Sequence, residues 1–112
     1  MPDFSTDVEF FERGDGPALL LLPGSFGTGA GWKAVTDNLG AHYRLVTTSL
    51  LGYGATVERR PLGNATMQQQ TDVIDAILER IGEPTHVAAH SFGGLAALGH
   101  AIQGTIKPAS LT

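Results

Sequence analysis

The sequence predicts an α/β fold, an open and mostly parallel sheet with flanking helices, spanning 1–112 as one domain or a portion of one. Three observations carry that prediction. Apolar runs of strand length alternate with stretches of helical periodicity, the order that builds parallel sheets through crossover helices. The run Ala18-Leu19-Leu20-Leu21-Leu22 is apolar without alternation, as suits a strand covered on both faces. Three loops follow strand segments in turn, Pro23 to Gly31, Ser49 to Gly54, and one centred on Ser91. Sheets of this kind keep their chemistry in such loops, at the carboxyl ends of the strands.

The elements follow in order. Val8 to Glu12 is a short aromatic strand segment that ends at the turn signal Gly14-Asp15-Gly16-Pro17. After the leucine run and its glycine-rich loop, a short helix is predicted from Trp32 to Leu39, with Val35 and Leu39 on one face. Tyr43 to Thr48 reads as the next strand. The clearest helix spans Thr66 to Ile81: Met67, Ile74, Ile77, Leu78 and Ile81 recur at helical spacing, and Asp72, Asp75 and Glu79 fall on the other side. Gly82 and Pro84 end it. Thr85 to Ala89 is a third strand of this pattern, Phe92 to Gln103 a third helix, and Ala109 to Thr112 enters another strand.

Composition narrows the function. Residues are 42% apolar and 16% charged, which fits a buried core and not a disordered tail. The formal net charge is -4 and the basic residues are scattered, with Arg59-Arg60 read as a solvated loop pair. Neither nucleic acid nor an anionic membrane is implied as a partner. There is no cysteine, which excludes disulfides, thiolate metal sites and cysteine catalysis. No His, Asp or Glu set has metal-ligand spacing, so no metal is expected. The N-terminus has no signal-peptide pattern and no apolar run is long enough to span a bilayer, so a cytoplasmic location is expected. Glycines 24, 27, 29 and 31 follow a strand and open a helix, which raises nucleotide binding as an alternative. Both phosphate-binding patterns fail, because Ala30 follows Gly29 and Trp32 stands where the last dinucleotide glycine belongs. No cofactor is expected.

The most informative segment is Ala89-His90-Ser91-Phe92-Gly93-Gly94, set between an apolar strand and a helix rich in Ala and Leu. A sharp strand-to-helix turn there exposes the serine hydroxyl and needs small residues on both sides, Ala89 and Gly93. The helix N-terminus favours negative charge beside it. This segment resembles the nucleophile elbow of the α/β-hydrolase superfamily, usually Gly-x-Ser-x-Gly, with Ala89 for the first glycine. Leu22-Pro23-Gly24-Ser25 resembles that family's His-Gly-x loop, with Pro23 for the histidine. Ser49-Leu50-Leu51-Gly52-Tyr53-Gly54-Ala55-Thr56 resembles its Asp-x-x-Gly-x-Gly-x-Ser motif, with Ser49 for the Asp and Thr56 for the Ser. That Asp is structural in the family, so its replacement bears on how the loop is braced.

The resemblance implies a serine hydrolase acting on an ester-like or other small carbonyl substrate. It assigns Ser91 as nucleophile, the Ser25 and Phe92 N–H groups as oxyanion hole, and Gly24, Ala89, His90, Gly93 and Gly94 as support. The family's acid and histidine follow the serine in the chain. No Asp or Glu follows Ser91, and His100 lies nine residues along the same helix, roughly 13 Å at helical rise. His90 reads as a wall residue, and His42 and His86 are placed away from the serine. The 112 residues are therefore expected to be the N-terminal portion of a longer domain, inactive alone, its triad completed by the rest of the polypeptide or by a complementing chain. A non-catalytic binding domain on the same scaffold is the alternative.

Overall fold

The computed structural model describes residues 8–24, 27–39, 42–51, 54, 56 and 66–112. Strand β2 (Ala18–Leu22) lies at the centre of a five-stranded sheet ordered β1-β3-β2-β4-β5. It pairs in parallel with β3 (Arg44–Thr47) and with β4 (Thr85–Ala89), and β4 pairs in parallel with β5 (Ser110–Leu111). Among the described strands only β1 (Phe11–Arg13) runs antiparallel, on the outer side of β3. The central position explains the unbroken leucine run: Leu20, Leu21 and Leu22 are all buried, one face of the sheet taking Leu20 and Leu22 and the other Leu21.

Three helices make the crossovers: α1 (Lys33–Leu39), α2 (Met67–Ile81) and α3 (Phe92–Gln103). The step from β2 to β3 goes one way along the sheet, and the steps through α2 and α3 go the other way. Right-handed crossovers in opposite directions lie on opposite faces. Hence α1 covers one face while α2 and α3 pack side by side on the other. The main core forms there, with Leu20, Leu22, Val46 and Val87 of the sheet meeting Val73, Ile74, Ile77, Leu78 and Ile81 of α2 and Ala96 and Ala97 of α3. Each fully buried Leu or Ile contributes about 1.5–3 kcal/mol.

The long helix begins and ends for local reasons. The Thr66 N–H donates to Gln69 Oε1 at 2.6 Å, closing the first turn. Gly82 takes a left-handed conformation, φ 76°, and its N–H returns to the Leu78 carbonyl at 3.1 Å.

Two expectations shift. The first strand was expected over Val8 to Glu12, but pairing begins at Phe11 and continues to Arg13. The reason is that Glu9 spends its backbone groups on side chains: its N–H donates to Thr56 Oγ1 and its carbonyl accepts from Thr48 Oγ1. In the first helix the apolar face predicted through Val35 is turned by one residue. A 3₁₀ turn over Gly29–Trp32 precedes α1, Thr36 is the buried position, and Val35 is exposed.

Candidate active site

Where β2 sends its helix to one side of the sheet and β4 sends its helix to the other, a crevice opens at their carboxyl ends. The turn at Ser91 sits there. His90 N–H still donates to the Leu22 carbonyl at 3.1 Å, continuing the β2–β4 pairing. Gly93 N–H already donates to His90 O at 3.0 Å, and Gly94 N–H to Ser91 O at 2.9 Å, which begins the helix. Ser91 must absorb the whole reversal, and it does so at φ 55°, ψ -120°. It is the only non-glycine residue with positive φ among the described residues. Such a conformation costs about 1–3 kcal/mol and persists only where the surroundings enforce it. The Ser91 side chain is exposed, and among the described residues its hydroxyl has no hydrogen-bond partner.

The close approach that enforces the turn is visible at Gly93. A Cβ there would collide with the Pro23 carbonyl oxygen and lie 2.9 Å from that of Leu22. Gly24 faces the turn from the other side, its missing Cβ 3.0 Å from His90 Nδ1 and 3.1 Å from Ser91 Cβ. Ala89 ends β4 opposite Leu22. Gly94 differs: a Cβ at that position would meet nothing within 4 Å, so packing does not require a glycine there. Phe92 opens α3, and among the described residues its N–H has no acceptor. That donor points along the helix dipole toward the turn. Ser25 lies outside the described residues.

His90 is exposed and borders a cleft of about 220 Å³ together with Pro23, Gly24, Gly27, Thr28 and Trp32. His86 sits near the start of β4, at the opposite end of the strand, and contacts Ser110 Oγ at 2.7 Å. His42 is exposed before β3. Among the described residues no imidazole is bonded to Ser91, and no group of three His, Asp or Glu side chains gathers as a metal site. No described helix is long and apolar enough to cross a membrane.

One polar pair escaped the sequence reading. Asp75 was expected on the outer side of α2 with Asp72 and Glu79, yet it is only 4% exposed. His100 of α3, 1% exposed, places Nε2 2.8 Å from Asp75 Oδ1. The same carboxylate accepts the Thr105 N–H at 3.0 Å and the Ile106 N–H at 3.1 Å. Burial pushes the Asp75 carboxyl up, but the two N–H donors and the His100 ring together hold it below its ordinary value. The pair joins α2, α3 and the connection to β5, well removed from Ser91 along α3. A faint signal was available: Asp75 adjoins Ile74, and His100 follows Ala96 and Ala97 at helical spacing.

These features have parallels. The model of the alpha/beta hydrolase family matches residues 19–111. The pimeloyl-(acyl-carrier protein) methyl ester esterase of Vibrio vulnificus is 33% identical over 93 residues, covering 83% of this chain and 34% of that protein. A Mycobacterium tuberculosis protein named "Probable oxidoreductase EphD" is 31% identical over 83 residues, 72% of this chain and 14% of its own. The crystal structure of an alpha/beta hydrolase from Sphaerobacter thermophilus superposes with a TM-score of 0.81 at 24% identity, covering 93% of this chain and 39% of that one. The chain thus spans about a third, or less, of the length of these curated relatives. With the family match running over residues 19–111, the conclusion is direct: this chain belongs to the alpha/beta hydrolase family.

Proposed function

We propose that the chain is the nucleophile-bearing part of a serine hydrolase, with Ser91 attacking an ester-like or other small carbonyl substrate. The observation that carries this reading is the Ser91 backbone, held at φ 55° with an exposed hydroxyl at the switch point of the sheet. A fold keeps a strained serine there at a cost in stability, and strain of that kind clusters at functional sites. The esterase named among the relatives supports ester chemistry.

In this mechanism a histidine takes the Ser91 Oγ proton as the oxygen bonds to the carbonyl carbon, and then gives that proton to the leaving alcohol. The Phe92 N–H and the Ser25 N–H hold the oxyanion, each donor being worth about 3–4 kcal/mol of transition-state stabilisation. Water releases the acyl group by the same route in reverse. The histidine and its orienting acid come from polypeptide beyond these 112 residues or from a complementing chain, so the 112 residues alone are inactive. Gly24, Ala89, Gly93 and the wall residue His90 shape the turn.

The test is labelling of the full-length polypeptide with a fluorophosphonate probe, followed by mapping of the modified residue. Label on Ser91, lost in Ser91→Ala, is the expected result. An unlabelled native protein, or a Ser91→Ala variant that labels as before, refutes the reading.

A further inference from the structure

We infer that Glu9 is a positioning residue for the loop opening at Ser49, and that its carboxylate replaces the acidic group that the family motif carries at position 49. Glu9 precedes β1 and is only 8% exposed. Its Oε2 accepts the Ser49 hydroxyl at 2.8 Å, across 40 residues of sequence. Its N–H donates to Thr56 Oγ1 at 3.0 Å, and Thr56 Oγ1 in turn donates to the Ser49 carbonyl at 2.6 Å. Its carbonyl accepts from Thr48 Oγ1 at 2.6 Å. Thr48, Ser49 and Thr56 are all buried, so one residue engages both ends of the loop out of contact with water.

The second carboxylate oxygen explains Gly54. That residue has φ 52°, and a Cβ built on it would lie 2.5 Å from Glu9 Oε1 and 2.5 Å from Ser49 Oγ. The carboxylate and the hydroxyl therefore close on one point of the loop backbone from two sides. The Ser49 Cβ is 3.0 Å from the same point, so an aspartate at position 49 would deliver its oxygens to the place that Glu9 already fills. A carboxylate leaves water only where donors meet it, and two carboxylates in one small buried space repel each other. The acidic group has moved from the loop to the segment before β1, and Ser49 has become its donor.

The register places this brace near the candidate active site. Leu21 pairs with Thr47 and Leu22 with Ala89, so Thr48 is level with Leu22 and Ala89. One residue on, Ser49 is level with Pro23 and His90. Strands β3 and β4 flank β2, so the loop at Ser49 stands two strand spacings, about 10 Å, from the turn at Ser91. Among the described residues, the loop at Pro23 and Gly24 lies between them.

The catalytic part of this inference rests on Ser91 being the nucleophile; the brace itself does not. The experiment is a cycle of Glu9→Gln, Ser49→Asp and the double variant in the full-length polypeptide, read by melting temperature and by the rate of fluorophosphonate labelling well below melting. Each single variant should lower the melting temperature by roughly 5 °C or more. Ser49→Asp is the more damaging, although it restores the family residue. The double variant should return to within about 2 °C of the native protein, and labelling, several-fold slower in each single variant, should recover with it. Additive losses in the double variant overturn the inference. So does a labelling rate that stays unchanged while the melting temperature falls, since that makes Glu9 structural only. Should Ser49→Asp not fold, recovery in the double variant relative to Glu9→Gln decides. A native protein that takes no label sinks the nucleophile reading and leaves the melting cycle to judge the brace.

Discussion

Truncating Asp75 to alanine removes the acceptor for three donors at once, and the cost can be worked from their surroundings. His100 is fully buried, so its ring loses its partner with no water to replace it, about 1–3 kcal/mol. Thr105 is exposed and Ile106 half-buried, so their N–H groups recover part of the loss from solvent, leaving about 0.5 kcal/mol each. The sum is about 3 kcal/mol. Asp75→Asn keeps an acceptor for only one of the two N–H groups, which bond different carboxylate oxygens, and should cost about 1–2 kcal/mol. The assay is urea unfolding followed by the fluorescence of Trp32, the single tryptophan of the chain. His100→Ala made in the Asp75→Ala background should add little, because the interaction is already gone. The pH dependence has a definite sign. The folded carboxyl is held below its ordinary value of 3.8, so its stabilisation is complete above that pH and is lost as pH falls through the lower folded value. Asp75→Asn should remove this part of the acid slope. A loss below about 1 kcal/mol in Asp75→Ala, together with simple additivity to His100→Ala, would refute the account.

Three glycine-related predictions separate strain from packing at the turn. Ser91→Gly relieves the positive φ and should stabilise the chain by about 1 kcal/mol while abolishing labelling; Ser91→Ala should give no such gain, and thermal melts compare the two. Gly93→Ala drives a methyl into the backbone of Pro23 and Leu22 and should cost about 2–3 kcal/mol in urea unfolding. Gly94→Ala, with open space at the new methyl, should be neutral or stabilise the helix by up to about 1 kcal/mol.

Local chemistry was legible in the chain itself. The leucine run announced a strand covered on both faces, Gly82 ended the long helix, and Ala89, Gly93 and the strand-to-helix context marked the turn at Ser91. Each of these signals acts between neighbours: side-chain periodicity, the conformational freedom of glycine, and the size of residues beside a sharp turn. What escaped were contacts made at a distance. Asp75 looks solvated beside Asp72 and Glu79, because helical spacing locates a face and not the partner that α3 brings to it from 25 residues away. Glu9 looks like an ordinary strand residue until the sheet carries Thr48 and Thr56 over its backbone groups, which is also why β1 begins at Phe11. Val35 misled by one helical step because the 3₁₀ turn before α1 sets its phase. The sequence by itself determined the order of the elements and the serine at the turn, since these follow from neighbouring residues. Tertiary structure alone decided which polar groups are buried together, because the energy of a buried charge depends on donors that only the folded chain assembles.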